Sequence, residues 1–434
     1  MKPRIRPLTV ALLGSVLMTT FSGCQSTSRP SSTASVASAS TASESRLEST
    51  FSEDVAFLRK HVDTIVLSSG KARVAVVPAY QGRVMTSSTG DDEDRSLGWL
   101  NYEAIKQGVL EGDAAEGTLQ AHIHVFGGEE RFWLGPEGGQ FGIYFSPGAA
   151  FEFDVWKTPA PIDTEAFDVE LQDSNRAVFR RQFQVQNHSG FTFDVGVRRS
   201  VSILDRSQIS NLLGIDLGEQ LDAVAYETRN EITNLGDTAW TSESGALSIW
   251  LLGMYKHSPE TTVVIPLRPG DSADLGPLVN DEYFGKVPED RLKLGRESVF
   301  FRADGKFRSK IGVSPKRSRG IAGSYAADSQ TLNLVLYERP SRHQGYVNSM
   351  WAIQDEPFSG DAINAYNDGS PEPGAAPLGP FYELETSSPA AFLEPGDSMP
   401  HVQRTIHLRG SREVLDRVAR RHLGVGIEAI ATAF

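Results

Sequence analysis

Glu383 and Glu385 stand two positions apart in the run Phe381-Tyr382-Glu383-Leu384-Glu385-Thr386. If that run is extended, both carboxylates share one face while Tyr382 and Leu384 face the other way. Two carboxylates held that close raise the pKa of at least one, which is how a general base is poised near neutrality. The plainer reading makes one of them a solvated surface group and the other a structural acceptor. Two strand rises set the pair about 7 Å apart. Both would then approach a substrate from one edge instead of flanking its glycosidic bond, which argues against glycoside cleavage by this pair alone.

A second concentration of reactive side chains lies at 119–145, where His122, His124, Arg131, Trp133 and Glu137 sit among glycines. Read as a strand over 119–126, the run puts His122 and His124 on one face. Neutral imidazoles are common metal ligands, and His-x-His followed by Glu129 resembles the first motif of cupins. The surrounding glycines are out of step with that motif. No second motif with a third His and an Asn follows, and Pro395-Gly396 with His401 comes nearest. A metal-dependent cupin-like enzyme is therefore the minor alternative, and the sequence calls for no metal and no cofactor. Two polar residues on a solvated sheet face account for the histidines equally well.

Arg131, Trp133 and Glu137 read as a glycine-rich turn between two strands. A flat ring, a guanidinium and a carboxylate together suit a polyhydroxylated ligand: the ring covers the apolar face of a sugar and the charged groups bond its hydroxyls. An ordinary β-arch, with Arg131 paired to a neighbouring Glu and Trp133 in the core, uses the same residues. Further on, Asn367-Asp368-Gly369-Ser370-Pro371 and its Pro/Gly continuation read as a long loop. Long loops in compact domains are often functional. Asn367 and Asp368 thus join His122, Arg131, Trp133 and Glu137 as substrate-binding candidates, beside Glu385, Glu383 and His124 as catalytic ones.

These residues need a scaffold, and the chain signals strands. The segment from Phe51 to Val62 reads as a short helix, and from Lys71 the apolar period changes to two. Strands are predicted at 72–77, 119–126, 141–146, 166–172, 177–186, 191–204, 223–233, 246–253, 331–337, 381–386 and 402–408. Turn residues separate them, as in Asn187-His188-Ser189-Gly190. Strands follow strands without helices between, so βαβ architecture is unexpected. A closing helix is predicted over 411–423, stopped by Gly424. No composition break divides 51–434, so one large all-β domain of two packed sheets is expected. The net charge of −13 excludes ordinary nucleic-acid binding, because the polyanion would be repelled.

The start of the chain carries an address. Lys2, Arg4 and Arg6 precede an apolar run from Leu8 to Phe21, which has the length of a signal peptide and is too short to span a bilayer. It ends in Phe21-Ser22-Gly23-Cys24, which resembles the lipobox of bacterial lipoproteins, with Phe21 where that family usually has Leu. Residues 1–23 are read as a signal peptide, and Cys24, the one cysteine in the chain, as the site of lipidation. Acyl chains such as palmitate would hold the protein at a membrane. Gln25 and Ser26 follow, with no Asp, and by resemblance to Gram-negative sorting rules this points to the outer membrane. Residues 24–50, rich in Ser, Thr and Ala, read as a tether that cannot bury enough to fold.

The closing segment adds a resemblance. Phe381-Tyr-Glu-Leu-Glu-Thr, then Leu393-Glu-Pro-Gly-Asp-Ser, His401 and Thr405-Ile-His-Leu are similar to the last strands of the galactose mutarotase-like superfamily. Tyr226-Glu-Thr-Arg-Asn-Glu-Ile-Thr-Asn-Leu-Gly resembles the mid-domain strand and turn of aldose 1-epimerases. The resemblance spans about 65 to 410 and implies a large two-sheet β-supersandwich with a carbohydrate on its concave face. It also implies a Glu near the C-terminus, Glu383 or Glu385 by position, that takes the anomeric proton while a His protonates the ring oxygen. This sequence departs from that pattern. Where the His belongs it reads Ser248-Ile-Trp250-Leu-Leu-Gly-Met254, with His257 displaced and His124 the chemical alternative. The expected function is therefore a membrane-anchored carbohydrate-binding lipoprotein, with an active sugar epimerase or other carbohydrate-active enzyme as the alternative. The oligomeric state is left open.

Overall fold

The structure is a computed structural model that describes residues 48–434 apart from 111, 219–220 and 372–373. The signal peptide, Cys24 and most of the tether lie outside the described residues.

The first element, α1 (Phe51–His61), begins at Thr50, whose side chain accepts from the backbone of Glu53 while Glu53 bonds back to it. Such a capping box satisfies two orphan donors at once and is worth about 1 kcal/mol. The helix buries Phe51, Val55 and Leu58. Beyond it the chain is strands. A small antiparallel sheet of β1 (Ile65–Ser69), β2 (Ala72–Val77) and β3 (Arg83–Ser88) comes first. The short helix α2 (Tyr102–Gln107) leads to β4 (Arg131–Gly135), followed by β5 (Asp168–Gln172), β6 (Arg176–Gln186) and β7 (Thr192–Ile203). After α3 (Arg206–Leu213) come β8 (Leu221–Asn234), β9 (Ser248–Lys256) and β10 (Thr261–Pro266). The turn of helix α4 (Ser272–Leu275) precedes β11 (Leu292–Leu294), β12 (Ser298–Arg302), β13 (Ser309–Val313), β14 (Ile321–Ala326) and β15 (Thr331–Tyr337). Then come β16 (Ile363–Asn367), β17 (Phe381–Ser387) and β18 (Ser398–Gly410), and the described chain closes with α5 (Arg412–Leu423) and α6 (Ile427–Ala431).

Ten strands form one antiparallel sheet in the order β11-β12-β10-β14-β15-β18-β8-β7-β6-β5. Five form a second, in the order β13-β16-β17-β9-β4. This is the all-β, two-sheet sandwich with short terminal helices that the sequence predicts. Between the sheets lie Tyr255, Val263, Phe301, Ile311, Val335, Ile363, Tyr382 and Leu384, and the loss of water from such surface drives their association. On the outer face of the ten-stranded sheet, α3, α5 and α6 pack Ile209, Leu213, Leu415, Val418 and Ile430 against Leu332, Leu334 and Ile406.

Two predicted strands are absent. Residues 119–126 form a 3-10 turn at Leu119–Ala121 and then irregular chain. The backbone turns at Gly127 and Gly128, both with positive φ, and a Cβ on Gly127 would fall 2.3 Å from the Trp99 carbonyl. Only glycine meets both demands there. Residues 141–146 are likewise turn and loop, closed by Gly142 N–H on Gly139 O and Ile143 N–H on Pro136 O. Conversely, Arg131 and Trp133 lie in strand β4 and not in a turn.

Candidate functional site

The face of the five-stranded sheet that points away from the ten-stranded sheet holds the chemistry. Register places Arg131, Leu252, Glu385 and Asn364 side by side across β4, β9, β17 and β16. The next row is Met254, Glu383, Tyr366 and Lys310. Trp133 and Trp250 pair one step further along. Alternation on β17 sends Tyr382 inward, where its hydroxyl meets Ser324 at 2.6 Å and Asn333 at 2.9 Å. Glu383 and Glu385 therefore share the outer face.

Glu385 is 1 % exposed. Its Oε2 accepts from Lys310 Nζ at 2.8 Å and from the indole Nε1 of Trp250 at 3.0 Å, while its buried Oε1 has no hydrogen-bond partner. Glu383 Oε1 lies 3.5 Å from Arg131 Nη2. The Arg131 guanidinium lies 3.8 Å above the Trp133 ring, and its Nε and Nη1 are unpartnered. Trp133 meets Trp250 edge-on at 5.5 Å. Two further acids approach: Glu137, whose N–H donates to Ser349 Oγ at 3.1 Å, and Asp361, which accepts from Tyr283 OH at 2.7 Å and Asn280 at 3.2 Å.

Burial raises the Glu383 carboxyl to about 8, helped by the neighbouring Glu385 and opposed by Arg131 and Lys310. Burial also raises Glu137 and Asp361, against the pull of Lys310 on both. For Lys310 itself burial favours loss of the proton, but Glu385, Glu137 and Glu383 outweigh it and hold the amine above its ordinary value. The result is four carboxyl groups around one ammonium and one guanidinium, with burial favouring the protonated form of Glu383, Glu137 and Asp361. Such a set can hydrogen-bond hydroxyls as donor and acceptor together, and it can carry a proton.

This face is covered. The chain between β15 and β16 folds back as a flap whose neck is closed by Tyr346 N–H on Phe358 O and Gly360 N–H on Tyr346 O. A reciprocal pair latches it: Gln140 Nε2 donates to Gln354 O at 2.8 Å, and Gln354 N–H donates to Gln140 Oε1 at 3.0 Å. Between flap and sheet remains a cavity of about 20 Å³ lined by Trp250, Tyr283, Lys310, Asp361, Asn364 and Ser387. That is room for one water and not for a sugar. A wider groove, bordered by Phe57, His61 and Tyr102, lies between α1 and α2 and contains none of these acids.

The remaining candidates are elsewhere. His124 is buried, with Nδ1 on Asp163 Oδ2 at 2.8 Å, and its Nε2 is unpartnered. No hydrogen bond or ion pair among the described residues joins it to Glu383 or Glu385. His122 Nδ1 bonds the Trp156 carbonyl at 2.8 Å. The two imidazoles thus serve different partners, and the cupin-like pair is not built. Asn367 is fully buried with its amide on Gly305 and Phe307. Asp368 is fully buried and accepts from Tyr366 OH and Gly379 N–H. Both side chains hold neighbouring loops together. Lys310, Trp250, Asp361 and Tyr283 were absent from the sequence candidates. Trp250 carried the one available signal, since it stands on the strand where a His was sought.

The chain belongs to the family of unknown function DUF6786. That family's profile matches residues 49–434. No curated protein sequence matches the chain. Among solved structures, a candidate aldose 1-epimerase from Escherichia coli K12 superposes with a TM-score of 0.46 at 11% identity, over 80% of this chain and 99% of that one. A galactose mutarotase-like protein from Lactobacillus casei gives 0.41 at 10% identity, over 80% and 100%. A galactose mutarotase related enzyme from Lactobacillus acidophilus gives 0.42 at 8%, over 80% and 97%. At such identities no residue role passes from them to this chain.

Proposed function

We propose that the protein binds a carbohydrate on the outer face of the five-stranded sheet, with Glu385, Glu383, Lys310 and Arg131 bonding hydroxyls and Trp133 and Trp250 walling the site. The observation that carries this reading is the buried Glu383–Glu385 pair held between two cations beneath tryptophans. Unpartnered polar atoms at Glu385 Oε1 and Arg131 Nη1 are costly inside a protein unless something supplies their bonds. A sugar enters only when the flap lifts. By the lipobox-like sequence, lipid on Cys24 anchors this body to a membrane, the outer one by the sorting resemblance. A panel of monosaccharides and oligosaccharides tested by thermal shift and calorimetry checks the binding. Absence of any response overturns it. Labelling with an alkyne-tagged fatty acid, abolished in Cys24→Ser, checks the anchor.

A second reading, sugar epimerisation, is favoured by one observation: Glu385 with an unpartnered Oε1 stands on the same strand face as Glu383, whose carboxyl burial pushes up to about 8. Glu385 would take the anomeric hydroxyl proton while protonated Glu383 gives its proton to the ring oxygen. The C1–O5 bond opens, the C1–C2 bond rotates, and reclosure returns both protons. Polarimetry on freshly dissolved sugars decides it, because a rate unchanged by the protein leaves binding alone.

A further inference from the structure

The aromatic wall of the cleft continues outward to solvent. Trp351, on the flap, stacks on Trp156 at 6.0 Å and 24°. Trp156 stacks on Phe153 at 5.9 Å and 17°, and the His122 ring lies 4.6 Å from Phe153. At its inner end the row reaches Glu137. Trp351 packs against the next residue, Gly138, where an added Cβ would fall 2.9 Å from its ring, and its indole helps hold the Glu137 carboxyl down against burial. At its outer end Phe153 is 48% exposed and is flanked by exposed Glu152, Asp154 and Lys157.

We propose that this row is an outer subsite for further units of a sugar chain, so that the ligand is an oligosaccharide. The inference rests on the carbohydrate reading of the inner site and gives its substrate class. A single exposed aromatic is ordinary. This one is the solvent end of a continuous stack that leads to Glu137. A pyranose ring offers an apolar C–H face to an aromatic ring and hydroxyls at its edge, which suits Phe153 with carboxylates and an ammonium beside it. His122 adds a directed acceptor. Its Nδ1 must carry the proton to donate to the Trp156 carbonyl, which leaves Nε2 with a lone pair for a sugar hydroxyl. The stack also joins fixed chain to flap, so a ligand lying along it engages both.

The test compares the tightest-binding monosaccharide of the panel with its own homologous oligomers, by calorimetry on the full chain. The expected result is about tenfold tighter binding of a trimer or longer chain. Phe153→Ala and His122→Ala should remove that gain while leaving monosaccharide affinity unchanged, and Val169→Ala, an exposed residue on β5, should change neither. Equal affinity for monomer and oligomer overturns the outer subsite and leaves the inner one standing. No binding of any sugar overturns both. Binding of Cys24→Ser protein to anionic lipid vesicles that Phe153→Ala abolishes would assign the patch to a membrane and overturn the proposal.

Discussion

The indole Nε1 of Trp250 donates to Oε2 of Glu385 at 3.0 Å, on the oxygen that Lys310 Nζ also reaches at 2.8 Å. Glu385 is thus a carboxylate positioned from two strands, β9 and β13. Lys310→Met should be severely destabilising, by about 3–5 kcal/mol, because it leaves a buried carboxylate without its counter-charge. Lys310→Met combined with Glu385→Gln should recover much of that loss. Trp250→Phe keeps the ring packing against Trp133 but removes the donor, for about 1.5–3 kcal/mol. Urea unfolding of the four proteins measures these values. A Lys310→Met protein as stable as wild type would mean that Glu385 is not held as described.

Close approach is a second requirement, and it falls on Gly312. Its backbone is extended, but a Cβ there would lie 2.0 Å from Asp361 Oδ2 and 2.6 Å from its carboxyl carbon. Gly312→Ala should therefore push Asp361 off Tyr283 and Asn280 and cost about 1–3 kcal/mol as an overpacking change. Thermal unfolding reads the cost. Unchanged stability would show that Asp361 has room to move.

The acids of the site also set a pH dependence. The Glu383 carboxyl is raised to about 8 by burial, so the folded protein holds a proton that the unfolded chain releases at the ordinary value of 4.5. Its contribution to stability is full below the unfolded value and is lost as pH rises through the folded one. Glu137, Asp361 and Glu130 are shifted upward too and act in the same direction, whereas Asp304 is lowered and acts oppositely. The Glu383 contribution should fall between about pH 5 and about pH 9. His401, His257 and His422 act against it, because burial lowers their pKa values and they add stability as pH rises toward 6.5. The difference between wild type and Glu383→Gln therefore isolates the Glu383 contribution. Parallel profiles for wild type and variant would exclude Glu383 as the titrating group.

How much of this was legible follows from the local environment of each strand. β17 could be read because Glu383-Leu384-Glu385 alternates in type and because the closing segment resembles a known one. β4 and β13 could not, because all five residues of each are buried and a strand covered on both faces shows no alternation. Arg131 was consequently placed in a turn, and Lys310 went unnoticed inside Ser309–Val313. The pairing of Lys310 with Glu385 spans 75 residues and that of Arg131 with Glu383 spans 252. Sheet register, not local sequence, creates both contacts. The histidines failed in the opposite way. His122 and His124 alternate like a strand, but the turn at Gly127 and Gly128 and the ties to Trp156 and Asp163 set the backbone instead. Asn367 and Asp368 look like loop residues by composition, yet their side chains have the donors and acceptors that close the loops around them.

The flap gives the last prediction. Gln354 bonds Gln140 through its backbone and bonds Asn348 O and Met350 O through its side-chain amide at 3.0 and 2.8 Å. Gln140 supplies both side-chain atoms of the latch to the sheet side. Gln140→Ala removes two hydrogen bonds, each worth about 0.5–1.5 kcal/mol net, without touching the acids or the tryptophan wall. Because the cavity beneath is water-sized, a ligand requires the open state, and a closed majority lowers apparent affinity by the open fraction. Gln140→Ala should therefore speed hydrogen exchange of the amides at 346–360 and accelerate ligand association several-fold, while the global unfolding midpoint shifts little. Faster exchange with unchanged association would show that the flap does not gate the site. Exchange as slow as wild type would show that the neck bonds, Tyr346 to Phe358 and Gly360 to Tyr346, hold the flap without the latch.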